Sequence, residues 1–449
     1  MITNWELFTD FGIAGGLLLC GKLLRAHVTL LQKLYLPAAL IAGLLALILG
    51  SAVLNLLPWS EQFASNASIL TVVLFASLGL ATDFPSARTL VQRCGSLWTF
   101  NQLANVGQWA FCAIMGLVLM TVIWPDLSPA FGLILSAGFM GGHGTGVVVG
   151  ETLGSLGWAD ALTLALTTAT VGIFASILVG MLLIHLGLRK GWIRDFARFE
   201  SMSKTARRGL VPEAEQTPLG RETAASISID ALAMHAALLI AVSVAAYHAA
   251  VYLSGFHELV RVPAFVTAFA LGLTARGLLK KLGGKVYFDD KVFGHCTGTA
   301  SDFLVVFGIA AIQVTILLNY AMPLIAMVVL GVLFNLAMVL LVAPRLLGEN
   351  WFEKAVFSWG WLTGTVGMGI ALLRIVDPKM RSKVLDDYAI AYVPGSVVDM
   401  VMISLVPVLM MKGMAMEAIS GMLFYLVGIL LLWQVIKRRQ AALAPVSAG

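Results

Sequence analysis

The chain is poor in charged residues, cysteine and histidine, and each shortage excludes a class of protein. Only 12% of its 449 residues are charged, against roughly 25% in soluble domains. Four cysteines at unrelated spacings give neither a disulfide framework nor a transition-metal site. His143 is the only one of the seven histidines that lies inside an apolar run near a glycine-rich break, and no cysteine or second acid accompanies it at ligand spacing, so we do not expect an enzyme. The net charge of +5 lies mostly in loops and requires no nucleic-acid partner.

Long apolar runs occupy most of the sequence instead. Hydrophobic residues make up 59% of the chain, and a run of about 20 apolar residues suffices to cross a bilayer. The first run follows a start with two acids and no base, so we expect a retained helix and no cleaved signal peptide. We therefore predict an all-α polytopic membrane protein. The runs fall at about 11–26, 36–57, 67–82, 98–124, 127–150, 160–188, 229–254, 263–279, 299–318, 321–344, 353–373, 386–411 and 417–436.

The basic residues predict how these runs are threaded. Basic residues in short loops face the cytoplasm. If the N-terminus is outside and runs 127–150 and 353–373 enter and leave on one side, all of the 29 Lys and Arg except Arg261 and Lys412 become cytoplasmic. A full crossing by either run would put the later loops on the wrong side. The pattern therefore predicts eleven spans, two re-entrant hairpins and a cytoplasmic C-terminus.

The two halves of the chain also resemble each other. Four short matches recur in the same order at similar spacings, which predicts two inverted-topology repeats of five helices and one hairpin each. The predicted domains are a first repeat at 1–188 with a hairpin at about 127–157, a cytoplasmic linker at 189–228, a second repeat at 229–412 with a hairpin at about 353–375, and an extra helix and tail at 413–449. The matches pair Leu36-Pro37-Ala38 with Val262-Pro263-Ala264, Gly79 with Gly308, Gly144-Thr145 with Gly364-Thr365, and Val171-Gly172 with Pro394-Gly395.

The glycine-rich stretch Gly141–Gly146 is the first candidate binding site. Arms at about 129–141 and 145–156, at about 1.5 Å per residue, would place it near the middle of the membrane. Non-helical backbone at that depth is stable only where it is buried in protein or lines a water-filled cavity. The start of the second arm would offer unpaired N–H groups to a carboxylate. Close helix packing is the alternative explanation of the glycines.

The second hairpin carries a similar break, Thr363-Gly364-Thr365-Val366-Gly367, and we expect the two tips to face each other.

His143 is either a hydrogen-bond partner of a substrate carboxylate, a proton relay, or a residue that holds the tip by bonding to a backbone carbonyl. Sodium is the only metal ion expected, as coupling ion, and no cofactor is expected. The predicted substrate-binding residues are Gly142, His143, Gly144, Thr145, Gly146, Gly364, Thr365 and Gly367, and the predicted sodium ligands are Thr145, Thr170, Thr363, Thr365 and Asp399.

At these motifs the chain resembles the bacterial glutamate:sodium symporter family. The resemblance rests on Gly141-Gly142-His143-Gly144-Thr145-Gly146, on Leu74–Leu80, on Thr170-Val171-Gly172 and on the helix from Pro37. It implies sodium-coupled uptake of glutamate, a homodimer, and elevator-like movement of a transport domain against a scaffold. The second hairpin departs from the family, with Ser358-Trp359-Gly360 where a His-Cys-Gly is usual.

Together these observations predict a secondary active transporter of the bacterial cytoplasmic (inner) membrane. It would couple sodium to the symport of glutamate or a related amino acid or carboxylate. The main alternative is a proton-coupled or other carboxylate or anion transporter on the same scaffold. A channel with opposed half-helices is a further alternative.

Overall fold

A computed structural model describes residues 4–34, 36–51, 53–83, 86–193, 204–225, 227–254, 264–378 and 381–443. In these residues the secondary structure is helical, with no strand. Three residues named above lie outside the described part of the chain. They are Val262 and Pro263 of the first repeat match, and Arg261, which was predicted not to be cytoplasmic. The helices that build the fold are α1 (Asn4–His27), α2 (Ala38–Leu49), α3 (Asn66–Ala81), α4 (Gly95–Val122), α5 (Phe131–Ser155), α6 (Ala161–Arg189), α7 (Ala231–Ser254), α8 (Ala264–Lys281), α9 (Asp290–Ala310), α10 (Ala321–Ala337), α11 (Trp351–Thr363), α12 (Val366–Val376), α13 (Val384–Ser404), α14 (Val406–Met411) and α15 (Ala415–Leu443).

Nine of the described helices are long and apolar enough to cross a membrane. They include α5, although this helix is broken at Gly142. Three shorter apolar helices, α2, α3 and α12, have 10–17 residues. Most helices follow the apolar runs of the sequence, and two runs are exceptions. In the second run, α2 ends at Leu49, whereas the run extends to about 57. The larger exception is the ninth run.

That exception is α9. The apolar run predicts a helix over 299–318, whereas α9 begins at Asp290 and ends at Ala310. The helix starts early because the Asp289 side chain caps it, accepting a hydrogen bond of 2.9 Å from the Lys291 backbone N–H. A separate short helix, Val314–Asn319, completes the run. Hydropathy identifies the residues that can lie in lipid, whereas the capping residue determines where the helix begins.

The chain forms two compact units, each assembled from two separate segments. The first unit comprises Met1–Asp83 and Met202–Val314, and the second comprises Phe84–Ser201 and Thr315–Gly449. Each half of the sequence thus contributes its first helices to one unit and its last helices to the other.

Glycines let the helices of the first unit cross closely. A methyl group built on Gly79 of α3 would lie 2.6 Å from the Phe269 carbonyl oxygen of α8, and one on Gly272 would lie 2.7 Å from the Ala76 oxygen. A side chain at either position would separate the two backbones. Helices α2 and α9 approach in the same way, since a methyl on Gly43 would lie 2.6 Å from Ile309 Cδ1.

A buried arginine joins three helix ends of the first unit. Arg276, 6% exposed, donates to both carboxylate oxygens of Asp83 at 2.6 and 2.8 Å. It also donates to Asp290 and, at 2.8 Å, to the Leu80 carbonyl. The hydrogen bond from Arg276 holds the pKa of the Asp83 carboxyl well below its usual range. This network ties the ends of α3 and α8 to the start of α9.

Candidate functional site at two hairpin tips

The first hairpin turns at a single residue. Gly142 has φ +59° and ψ −149°, and the residues on both sides are helical. This conformation is almost closed to residues with a Cβ. A straight helix of this length would span about 36 Å, yet the rings of Phe131 and Trp158 at its two ends lie 6.3 Å apart. The chain therefore folds back at Gly142. The predicted arms, about 129–141 and 145–156, left residues 142–144 outside the helices, whereas the structure breaks the helix only at Gly142 and helical backbone resumes at His143.

The second hairpin turns at Gly364 and Thr365. Helix α11 ends at Thr363, and Thr365 then caps α12, its hydroxyl accepting a hydrogen bond of 3.3 Å from the Met368 N–H. The two arms pack backbone to backbone, since a methyl built on Gly360 would lie 2.3 Å from the Gly369 Cα. Gly367, predicted to be part of the break, lies in the first turn of α12.

The two tips meet within the second unit. A methyl built on Gly142 would lie 3.2 Å from Thr365 Cγ2 and 3.5 Å from the Gly364 carbonyl oxygen. Gly172 of α6 lies beside them, because its methyl would be 2.4 Å from the Thr363 oxygen. The structure thus brings together residues that are more than two hundred positions apart in the sequence.

Helix α6 shows that the hairpins point in opposite directions. Its start, at Leu162, lies against Gly150 in the outgoing arm of the first hairpin. Its middle passes the tips, where Thr170 contacts His143. Its end, at Gly187, lies against Phe352 at the base of the second hairpin. The base of each hairpin is therefore near a different end of one helix.

His143 occupies the first tip with one ring nitrogen engaged and the other open. The side chain is 2% exposed, and its Nε2 lies 3.0 Å from Thr170 Oγ1. We assign the proton of the Thr170 hydroxyl to its hydrogen bond with the Leu166 carbonyl at 3.0 Å, and with this assignment Thr170 accepts from His143 Nε2–H. In that neutral tautomer Nδ1 is an acceptor, and it has no hydrogen-bond partner among the described residues.

The start of a helix faces this region from each hairpin. The second arm of the first hairpin begins at His143, and α12 begins at Val366. First-turn N–H groups lack partners within their own helix, and a helix N-terminus carries positive partial charge. The joined tips therefore combine donors suited to an anion with an acceptor at His143 Nδ1.

Of the four threonines predicted to bind sodium, some lie together at the hairpin tips. Thr170 and Thr365 lie at the tips, and the Thr145 side chain packs over Gly141. Thr363 donates to the Trp359 carbonyl of its own helix at 2.7 Å. A hydroxyl oxygen has two lone pairs, and Thr170 and Thr365 each use one of them, with His143 and with the Met368 N–H.

Asp399 has its described hydrogen bond with Asn105 Nδ2 of α4. Gln102, one turn before Asn105, accepts at 2.8 Å from the Tyr425 hydroxyl of α15. The sequence interpretation missed Asn105 and Gln102 as partners. The available signal was a polar stripe along α4, where Asn101, Asn105 and Gln108 recur at helical spacing. All three side chains are buried.

Apolar helices surrounding a buried polar break are the architecture of an integral membrane protein. Comparison with known sequences gives the family. Residues 5–376 match the family model described as sodium/glutamate symporter, so the chain belongs to the sodium/glutamate symporter family, whose members are transporters and not enzymes. Two relatives named sodium/glutamate symporter, from Escherichia coli (strain K12) and Shigella flexneri, are each 24% identical over 352 residues, which cover 76% of this chain and 81% of theirs.

Proposed function

We propose that this protein is a secondary active transporter that couples sodium to the symport of glutamate or a related amino acid or carboxylate. We place it in the bacterial cytoplasmic membrane as a homodimer. The observation that carries the proposal is the contact of two oppositely directed hairpin tips at Gly142 and Thr365, in a chain of the symporter family. Broken helices that meet at a polar site are typical of secondary transporters.

The repeats and the membrane topology are part of this proposal. If the halves are inverted repeats, α2 corresponds to α8 and α3 to α9. The contact of α2 with α9 then has its counterpart in the contact of α3 with α8, and both occur. This reciprocity supports the repeat, and the distribution of basic residues supports hairpins that enter from opposite sides.

We assign the substrate to the joined tips. Its carboxylate would accept hydrogen bonds from N–H groups at the helix starts, with Gly142, Gly144, Gly364 and Gly367 allowing close backbone approach. Gly146 would act by letting its helix pack on α6, since a methyl built there would lie 3.2 Å from the Ala165 carbonyl oxygen. For His143 we propose a contact with the substrate other than the carboxylate contact considered from the sequence. Because Nδ1 is an acceptor, it suits the ammonium group of an amino acid better than a carboxylate.

Sodium would bind beside the substrate and order the tips. The proposed ligands are Thr145, Thr170, Thr363, Thr365 and Asp399. Coupling is then a binding free energy shared by the two sites. One excess positive charge moving inward gains about 2.3 kcal/mol per 100 mV, which corresponds to roughly 50-fold accumulation of substrate.

The division into units suggests which part moves. Both hairpins and α6 belong to the second unit. We propose that this unit, residues 84–201 and 315–449, carries the substrate as the moving domain of an elevator. The first unit would then be the scaffold.

Uptake into proteoliposomes tests the proposed function. We expect radiolabelled glutamate to accumulate with an inward sodium gradient and not with an equal potassium gradient. A proton gradient without sodium gives the third condition. Uptake driven by protons alone would favour the alternative transporter, and equal uptake in all three conditions would remove ion coupling from the proposal.

Replacement of His143 by phenylalanine tests the ammonium contact. Phenylalanine keeps a planar ring but removes the acceptor, and a hydrogen bond to a charged group contributes about 1.5–3 kcal/mol. In sodium, we expect the preference for glutamate over glutarate, which lacks the amino group, to fall by about tenfold or more. Thermal shifts of the purified protein measure both affinities, and the exposed His185→Phe is the control. An unchanged preference in His143→Phe would place the ammonium elsewhere.

A further inference from the structure

A buried histidine joins the start of α7 to the turn that precedes α9. His235 is 0% exposed, and the ring centroids of Phe288 and Phe293 lie 5.3 and 5.1 Å from that of its imidazole. Its Nδ1 lies 2.6 Å from the Ala231 carbonyl oxygen, and its Nε2 lies 2.8 Å from the backbone nitrogen of Asp289. Both ring nitrogens are therefore engaged with backbone groups.

These two partners fix the protonation state of the His235 ring. A carbonyl oxygen only accepts hydrogen bonds, so Nδ1 carries a proton, and a backbone N–H only donates, so Nε2 does not. In a protonated imidazole both nitrogens are donors, and Nε2–H would then face the Asp289 N–H. A proton on Nε2 therefore removes the hydrogen bond between His235 and Asp289.

Asp289 holds the linker through its side chain. Its carboxylate caps α9 and also accepts a hydrogen bond of 2.9 Å from the Arg221 N–H of the linker. The Thr223 hydroxyl of the linker donates to the Tyr287 carbonyl at 2.6 Å, two residues before Asp289. The residue that His235 holds by its N–H is thus the one that holds the linker by its carboxylate.

The elements around the start of α7 carry both signs of charge in nearly equal number. The acids are Asp83, Asp230, Glu222, Asp289 and Asp290. The bases are Arg221, Arg276, Lys280, Lys281, Lys285 and Lys291, and the other titratable groups are Tyr287 and His295. Six bases against five acids do not compensate an added positive charge on the ring.

We infer that His235 is a pH-sensitive latch for the linker. The neutral ring holds the Asp289 N–H, and the linker docks on Asp289; once Nε2 takes up a proton, this turn releases linker residues 220–223. Histidine changes its charge between about pH 5 and 8, so the latch opens as the pH falls through that range. All these groups belong to the first unit, whereas both hairpin tips belong to the second, and the latch does not depend on the transported substrate.

Fluorescence anisotropy of a dye on the linker tests the latch in the purified full chain. The four native cysteines are replaced, and a pH-insensitive dye is attached at Ala225→Cys, an exposed position beside the docked residues. We expect the anisotropy to fall between about pH 8 and about pH 5. Below the midpoint, the ratio of docked to released linker should fall about tenfold per pH unit, as for the uptake of one proton. The exposed His185→Phe is the control and should keep this transition.

Two replacements of His235 separate the latch from a loss of packing, and thermal unfolding at about pH 8 shows that each variant is folded. His235→Gln keeps an acceptor for the Asp289 N–H and takes up no proton, so its anisotropy should stay high over the whole range. His235→Phe keeps a planar ring without an acceptor, so the linker should be released at every pH. A wild type without the transition, or a transition that persists in His235→Gln, would overturn the latch.

Discussion

At the scale of single residues, Gly142 determines whether the first tip exists. Its backbone conformation is unfavourable for any residue with a side chain, and its α-carbon faces Thr365 and Gly364 of the other hairpin. One position therefore controls both the turn of one hairpin and the approach of the other.

Gly142→Ala should disrupt the tip while leaving the helices in place. An alanine here adds strain of roughly 1–3 kcal/mol and a methyl group 3.2 Å from Thr365 Cγ2. We expect sodium-dependent uptake to fall by about tenfold or more. Gly154→Ala, in the same hairpin but with nothing within 4 Å, should transport normally. Transport by Gly142→Ala at the wild-type rate would show that the tip geometry is not needed.

The sequence indicated the residues of the tips well and their partners poorly. A glycine cluster inside an apolar run identifies where a helix breaks, because this is a local property. It did not limit the break to Gly142, since Gly144 and Gly146 are compatible with helix once the chain has turned. The pairing of Asp399 with Asn105 depends on how α13 packs on α4, and no local pattern contains that information.

At the scale of helices, the second hairpin depends on close contact between its arms. Gly360 and Gly369 let α11 and α12 touch through their backbones. The apolar runs predicted the helices themselves, because length and hydropathy are enough to recognise a span. They did not predict the early start of α9, which its Asp289 cap decides.

Gly360→Ala should loosen this hairpin. Its methyl group would lie 2.3 Å from the Gly369 Cα, and inserting a group into packed structure typically costs about 1–3 kcal/mol. We expect a lower unfolding temperature in detergent and weaker stabilisation by sodium and glutamate together. Gly421→Ala in α15, where nothing lies within 4 Å, is the control and should be neutral or slightly stabilising. Unchanged stability of Gly360→Ala would mean that the arms separate freely.

At the scale of the whole molecule, the chain distributes each half of its sequence over two units. In our proposal, the unit with both hairpins moves and carries its ligands between the two sides of the membrane. This requires the hairpins to enter the bilayer from opposite sides and return without crossing it.

Cysteine labelling at the hairpin ends tests that requirement most directly. In a chain whose four cysteines are replaced, single cysteines at Ser128 and Ala159 flank the first hairpin, and those at Glu349 and Pro378 flank the second. They are treated with a membrane-impermeant maleimide on intact and on permeabilised cells. We predict that both ends of the first hairpin react in intact cells and both ends of the second only after permeabilisation. If the two ends of either hairpin react from opposite sides, that segment crosses the membrane and the account of the site is wrong.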